Sequence, residues 1–336
     1  MNLWVKFGIS CLSILLTEGW AVAQTPGRYA GNCTDSACHK GLTELKVVHA
    51  PITQGACDAC HESIAGEEHK FRLARTGGEL CTECHEDVTK DLPFVHGPVA
   101  VGACTACHQA HSSNLAHLLV REEKNLCVEC HSAIQERLGT GSHVHRPVSE
   151  GCLGCHQGHG AKNKMMLSTE APRLCLDCHG EIETLLSDNP HQHGPVGKGE
   201  CAACHDPHGS VNAALLAQDY PPKFYAPFVE KAYSLCFECH ESEAFTEKLT
   251  DKATGFRDGT RNLHYLHVNQ SVKGRTCRAC HDPHATKNSK QILESVPFGT
   301  WKIPLNFKET EIGGSCAPGC HKPATYKRTE TAGVSP

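Results

Sequence analysis

The chain has 336 residues, of which 6% are aromatic and 21% charged, and it carries 23 Cys and 25 His. A chain so poor in large aromatic side chains needs another source of buried surface, such as disulfides, metals or a bulky cofactor. The formal net charge of −5 excludes the basic footprint of a nucleic-acid-binding protein, and no nucleic-acid partner is expected.

Residues 1–23 read as an export signal. Lys6 supplies a short positive region, Phe7 to Leu16 is apolar, and Ala21-Val22-Ala23 offers a cleavage site before Gln24. The apolar run is too short to span a bilayer. Cys11 lies inside this segment and leaves with it; Gly8-Ile9-Ser10 ahead of it makes a poor lipobox. No later segment is apolar enough to cross a membrane, so an exported protein is expected, in the periplasm, at the outer membrane or outside the cell.

Every remaining cysteine falls into a pair whose second member precedes a His. Nine pairs are strict C-x-x-C-H: Cys57-Cys60-His61, Cys81-Cys84-His85, Cys104-Cys107-His108, Cys127-Cys130-His131, Cys152-Cys155-His156, Cys175-Cys178-His179, Cys201-Cys204-His205, Cys236-Cys239-His240 and Cys277-Cys280-His281. Two have widened loops, Cys33 to Cys38-His39 and Cys316 to Cys320-His321. C-x-x-C-H is the attachment signature of c-type haem: two thiols add to the vinyl groups as thioethers, and the adjacent His is held against the ring, where it ligates iron. Neither zinc chemistry nor a disulfide framework demands a His after each second Cys. Eleven covalently attached haems are expected.

The motifs alternate between two kinds. One follows a Leu (Leu80, Leu126, Leu174, Leu235) and precedes a polar stretch of helical spacing, such as Ala133 to Leu138. The other has Gly upstream (Gly102, Gly151, Gly199, Gly274) and runs into H-x-x-H, then into a short apolar group such as Leu118-Leu119, Met165-Met166-Leu167 or Leu215-Leu216. That group is expected to be a pad on a haem face. Between the two kinds stands a His-x-Pro element, at His49, His96, His145 and His193, with His267 its degenerate relative. The chain therefore reads as two-haem units at 24–72, 73–120, 121–168, 169–220 and 221–290, and a single-haem segment at 291–336 whose stretch with Trp301 and Pro304 forms a haem-free lobe.

This layout resembles the doubled-CXXCH class of multihaem c-type cytochromes, which includes pentahaem donors of periplasmic nitrite reduction and decahaem conduits inside outer-membrane porins. The resemblance covers nearly all of the chain after residue 23. It implies closely stacked haems, most of them ligated by two His. It also implies redox partner proteins: a quinol-linked donor, and an outer-membrane porin or cytochrome, or a terminal reductase, as acceptor. Peripheral or porin-embedded membrane association and a homo-oligomer or filament stay open.

Fourteen His lie outside the motifs. Ten recur by position and are the expected second ligands: His49 and His69, His96 and His111, His145 and His159, His193 and His208, His267 and His284. A His three residues after a motif His cannot easily reach the far face of the same ring, so it is expected to serve a neighbouring haem. His264, nearest in sequence to the last motif, is expected to supply the eleventh ligand, ahead of His117, His143 and His191. Met is scarce, and a set of His pairs implies low potentials. The expected fold is mostly irregular with short α-helices and little or no β-sheet, an elongated molecule whose core is haem. With two His per iron no position is open to substrate, so no catalytic residue is assigned and electron transfer is expected. The alternatives are a multihaem reductase of a small nitrogen or sulfur compound and a filament-forming extracellular cytochrome.

Overall fold

The computed structural model describes residues 33–34, 39–141 and 143–329. The export signal read at residues 1–23 and Cys38 lie outside them.

Each motif from Cys81-Cys84-His85 to Cys277-Cys280-His281 closes as one helical turn. The main-chain N–H of the motif His donates to the carbonyl of the first Cys at 2.9–3.1 Å. Residues at i, i+3 and i+4 of such a turn share a face, so both thiols and the imidazole project together. The two kinds of motif differ in how this turn begins. The Leu-preceded kind ends or continues a short α-helix, as in Glu79–Thr82, Glu123–Val128, Arg173–Leu176 and Ser234–Phe237. The Gly-preceded kind opens a 3-10 turn, as in Cys57–Ala59, Cys104–Ala106, Cys201–Ala203 and Cys277–Ala279. The stretch of helical spacing around Ala133 to Leu138 lies in the nine-residue helix Ser132–Thr140, and Gly180–Asp188 is its counterpart in the next unit.

The His-x-Pro element is a capped turn. His49, His96, His145 and His193 are extended and cap the helices Ala50–Thr53, Gly97–Ala100, Arg146–Glu150 and Gly194–Gly197, with proline in the first turn. Proline costs nothing there, because the N–H it lacks would have no partner inside the helix.

Little or no sheet was expected, yet strand runs through the described residues as nine small sheets, most of them pairs of two-residue strands. Two residues carry no alternation that a sequence pattern could reveal. Four of these pairs join consecutive units: Val47–Val48 with Ser112–Ser113, Phe94–Val95 with Gly160–Ala161, His143–Val144 with Gly209–Ser210, and His191–Gln192 with Ala285–Thr286. His143 and His191, left without a role by the sequence, are strand residues in these ladders.

The C-terminal segment differs. Ser295–Phe298 and Trp301–Pro304 form a hairpin, and Lys308–Thr310, Gly313–Cys316 and Ala324–Lys327 form a three-stranded antiparallel sheet. The stretch expected to be a haem-free lobe is bonded to the last motif instead: Ala317 N–H donates to the Leu305 carbonyl at 3.2 Å. Cys316 ends a strand here, so the widened C-x-x-x-C-H leaves the helical turn used by the strict motifs.

Among the described residues eight hydrophobic side chains are buried, and seven of them lie from Tyr233 onwards. The four preceding units contribute Ala161 alone, so their polypeptide builds no apolar core of its own. No helix among the described residues is long and apolar enough to cross a membrane.

Candidate haem centres

Every motif His faces one His from outside the motifs. The pairs are His39 with His69, His61 with His111, His85 with His49, His108 with His159, His131 with His96, His156 with His208, His179 with His145, His205 with His284, His240 with His193, His281 with His264, and His321 with His267; their ring centroids lie 5.9–6.4 Å apart and their planes within 34°. Offset aromatic pairs span about 4.5–7 Å, so distance alone does not decide what these pairs are for. The narrow spread does, together with the composition of each pair, one motif and one non-motif His. Two imidazoles whose nitrogens each sit about 2 Å from one metal have centroids about 6 Å apart. Among the described residues no three His, Cys, Asp or Glu converge on one point. Two facing imidazoles without a third converging side-chain donor suit a planar ring that supplies the other four ligands, and they do not suit tetrahedral zinc. The residues present fit haem.

Most pairs cross between units. His111, His159, His208 and His284 each face a motif His of the preceding unit, as the H-x-x-H spacing suggested. His49, His96, His145 and His193 face the first motif of the following unit. The backbone locks the same residues together, since the N–H of His49, His96, His145 and His193 donates to the carbonyl of His111, His159, His208 and His284 respectively, at 2.8–3.3 Å. His264 was expected at the last motif, but it faces His281, and His267 faces His321. The helix Leu263–Val268 carries both, one facing each of two neighbouring motifs.

Ring orientation comes from the second imidazole nitrogen, which fixes the tautomer and leaves Nε2 for the facing ring. His49 and His96 direct Nδ1 to the carbonyls of Ala110 and Gly158 at 2.9 and 3.0 Å. His108, His156, His205 and His281 direct Nδ1 to the carbonyls of His117, Met165, Ala214 and Lys290 at 2.8–3.0 Å. Those four carbonyls belong to left-handed turns. His117-Leu118, Met165-Met166, Ala214-Leu215 and Lys290-Gln291 all have φ between +53° and +57°. The group read as an apolar pad is thus a strained turn that aims a main-chain carbonyl at the motif His. The sequence could not reveal this, because none of the four turns contains glycine. His264 is half-buried, and desolvation followed by the charges of His281 and His267 drives it down to about 3. Its imidazole is therefore neutral, the form a metal ligand requires.

The thiols lie in chain order. Within units, the first cysteines lie close together: Cys33 by Cys57, Cys81 by Cys104, Cys127 by Cys152, Cys175 by Cys201, and Cys236 by Cys277. Between units, Cys60 neighbours Cys81, Cys107 neighbours Cys127, Cys155 neighbours Cys175, Cys204 neighbours Cys236, and Cys280 neighbours Cys316. Burial and then the facing thiol push Cys127 up to about 12 and Cys175 to about 11. In the Cys236–Cys277 pair the facing thiol raises Cys236 and lowers Cys277.

Glycine makes the within-unit contact possible. A Cβ on Gly102, whose φ is +69°, would lie 2.4 Å from the Gly78 nitrogen, and one on Gly199, φ +75°, would lie 2.7 Å from Pro172 Cδ. The backbones leading into the two motifs of a unit meet at these points, which accounts for the Gly upstream of the second motif.

No curated protein matches the chain. The doubled CXXCH motif family matches residues 49–90, 96–136, 145–184 and 193–245, just over half of the sequence. Each matched segment begins at a His-x-Pro histidine and ends beyond the motif His which that histidine faces, so it straddles the unit boundaries drawn from sequence. With its paired motifs, its opposed imidazoles and these matches, the chain belongs to the doubled CXXCH family and is a multihaem c-type cytochrome.

Proposed function

We propose that the chain binds eleven haems c, one per motif, and carries electrons along them in single file. The observation that carries this reading is the set of eleven opposed imidazole pairs, each joining one motif His to one other His. On this reading the second ligands are His49, His69, His96, His111, His145, His159, His193, His208, His264, His267 and His284. When bound, haem supplies reversible one-electron exchange between Fe(III) and Fe(II). The chain's own contribution is to hold the thiols and His of the motifs from Cys81 to His281 on one face of a turn, to fix tautomers through Nδ1, and to keep consecutive motifs close together.

A carrier rather than a reductase is supported by the second ring opposite every motif His, which occupies the position a substrate would need. Single file is supported by the order of thiol contacts, and an elongated, haem-packed body by backbone bonds that join consecutive units around very little buried apolar side chain. Export on the signal at residues 1–23, and exchange of electrons with a quinol-linked donor and an outer-membrane or terminal acceptor, complete the proposal.

Intact mass of the exported protein tests the stoichiometry: residues 24–336 plus eleven haems are expected. A mass short by two haems would exclude the widened motifs at Cys33 and Cys316. Electron paramagnetic resonance of the oxidised protein tests the ligation, and low-spin signals alone are expected.

A further inference from the structure

The four H-x-x-H segments share one backbone but not one side chain. In each, the residue after the motif His donates its N–H to the left-handed turn: Gln109 to Leu118, Gln157 to Met166, Asp206 to Leu215 and Asp282 to Gln291, at 2.6–3.0 Å. The first two are glutamines and the last two aspartates. The aspartates turn back on the second His of their own segment. Asp282 Oδ1 accepts the His284 N–H at 2.8 Å and lies 3.4 Å from His284 Nδ1; Asp206 Oδ1 accepts the His208 N–H at 3.1 Å and lies 3.7 Å from His208 Nδ1. The two carboxylates are not equivalent, because Arg137 Nη1 holds Asp206 Oδ2 at 2.5 Å. Among the described residues no Lys or Arg pairs with Asp282.

We infer that Asp282, and more weakly Asp206, are positioning residues that set the haems of His205 and His156 at lower potentials than the equivalent haems of His108 and His61. The inference rests on the haem reading above. Each iron takes up one electron on passing from Fe(III) to Fe(II), and the site loses one unit of positive charge. A carboxylate at the outer nitrogen of a ligating imidazole makes that ligand more basic and favours the more positive, oxidised state. Glutamine at the same position brings no charge. Arg137 offsets most of the charge of Asp206 and leaves Asp282 as the stronger influence. Of the four haems served by an H-x-x-H histidine, that of His205 is then the hardest to reduce. It lies beyond the middle of the file, so the haems are not equipotential along it.

The test is a potentiometric titration of the holoprotein beside its Asp282→Asn variant. One one-electron component should move upward by about tenfold in its reduction equilibrium, ~59 mV, and Asp282→Glu should restore it. Asp206→Asn should move a component in the same direction by less. The converse variant, Gln109→Asp, should move one component downward, and it serves if Asp282→Asn folds poorly. Haem content and low-spin resonance are read on the same samples, so a failure of the haem reading is seen separately. Full haem content and unchanged low-spin signals with no component displaced in either Asp282→Asn or Gln109→Asp would overturn the inference.

Discussion

The imidazole of His111 lies over that of His61 in the preceding unit, 6.1 Å between centroids and 17° between planes, while the His111 carbonyl accepts the N–H of His49 at 2.8 Å. One residue thus ties together three: the motif His it faces, the His-x-Pro element it bonds, and, through His49, the next motif His, His85. Side-chain and main-chain roles can be separated. His111→Ala keeps the carbonyl and removes the ring. The expected outcome is one high-spin or exchangeable site in an otherwise low-spin protein, seen by electron paramagnetic resonance and by binding of cyanide. A fully low-spin spectrum in that variant would mean that His111 is not a ligand.

Gly102 meets Gly78 backbone to backbone, and its φ of +69° is one that other residues adopt at a cost. An alanine there bears the left-handed penalty of about 1–2 kcal/mol, and its Cβ must also push the Gly78 strand of backbone away. Gly102→Ala should therefore lower stability by more than about 2 kcal/mol, measured by chemical denaturation of the holoprotein. Gly97→Ala, at a position where a Cβ meets nothing, is the control and should stay within about 0.5 kcal/mol of the parent.

What the sequence made legible was chemistry, and what it hid was backbone. The motifs are covalent and ligating groups at fixed spacing, so each Cys and motif His could be read directly. Most of the histidines that face a motif His could be read from their recurrence. The pairing of His264 with His281 and of His267 with His321 could not be read, because it depends on one helix presenting both to two neighbouring motifs. The left-handed turn was hidden too, since Met165-Met166 and Ala214-Leu215 look like packing residues and carry none of the Gly or Asn that usually marks positive φ. The small sheets were invisible because their strands are two residues long and are defined by partners in another unit.

The turn itself can be tested at Ala214, whose carbonyl accepts from His205 Nδ1 at 2.9 Å. A β-branched residue at φ +56° is strained more than alanine. Ala214→Val should lower stability by about 1–2 kcal/mol and broaden the low-spin signal of a single haem, as His205 loses its fixed orientation. Ala214→Gly relieves the strain at a cost in chain entropy, and should stay within about 1 kcal/mol of the parent. Equal effects of the two substitutions would count against backbone strain as the property that matters there.

The order of neighbouring thiols supports a stronger claim than any single site, that electrons pass every motif in turn. Cys152 lies beside Cys127 on one side, and Cys155 neighbours Cys175 on the other. The motif at Cys152-Cys155-His156 therefore stands alone between the first five motifs and the last five. On the proposed count of eleven haems, replacing Cys152 and Cys155 with Ala should remove one and leave ten in two groups. Each group should still accept electrons from a small soluble donor, since its own motifs and ligand pairs are intact, apart from His208, which loses the group it would share with His156. Current through the protein held by its two ends between electrodes should fall well below that of the parent. Removing the terminal pair, Cys316 and Cys320, should shorten the file without breaking it, so current taken from the tenth haem should persist. If the Cys152/Cys155 variant carried as much current as the parent, electrons would be crossing by a branch that the thiol order does not contain, and the single file would be wrong.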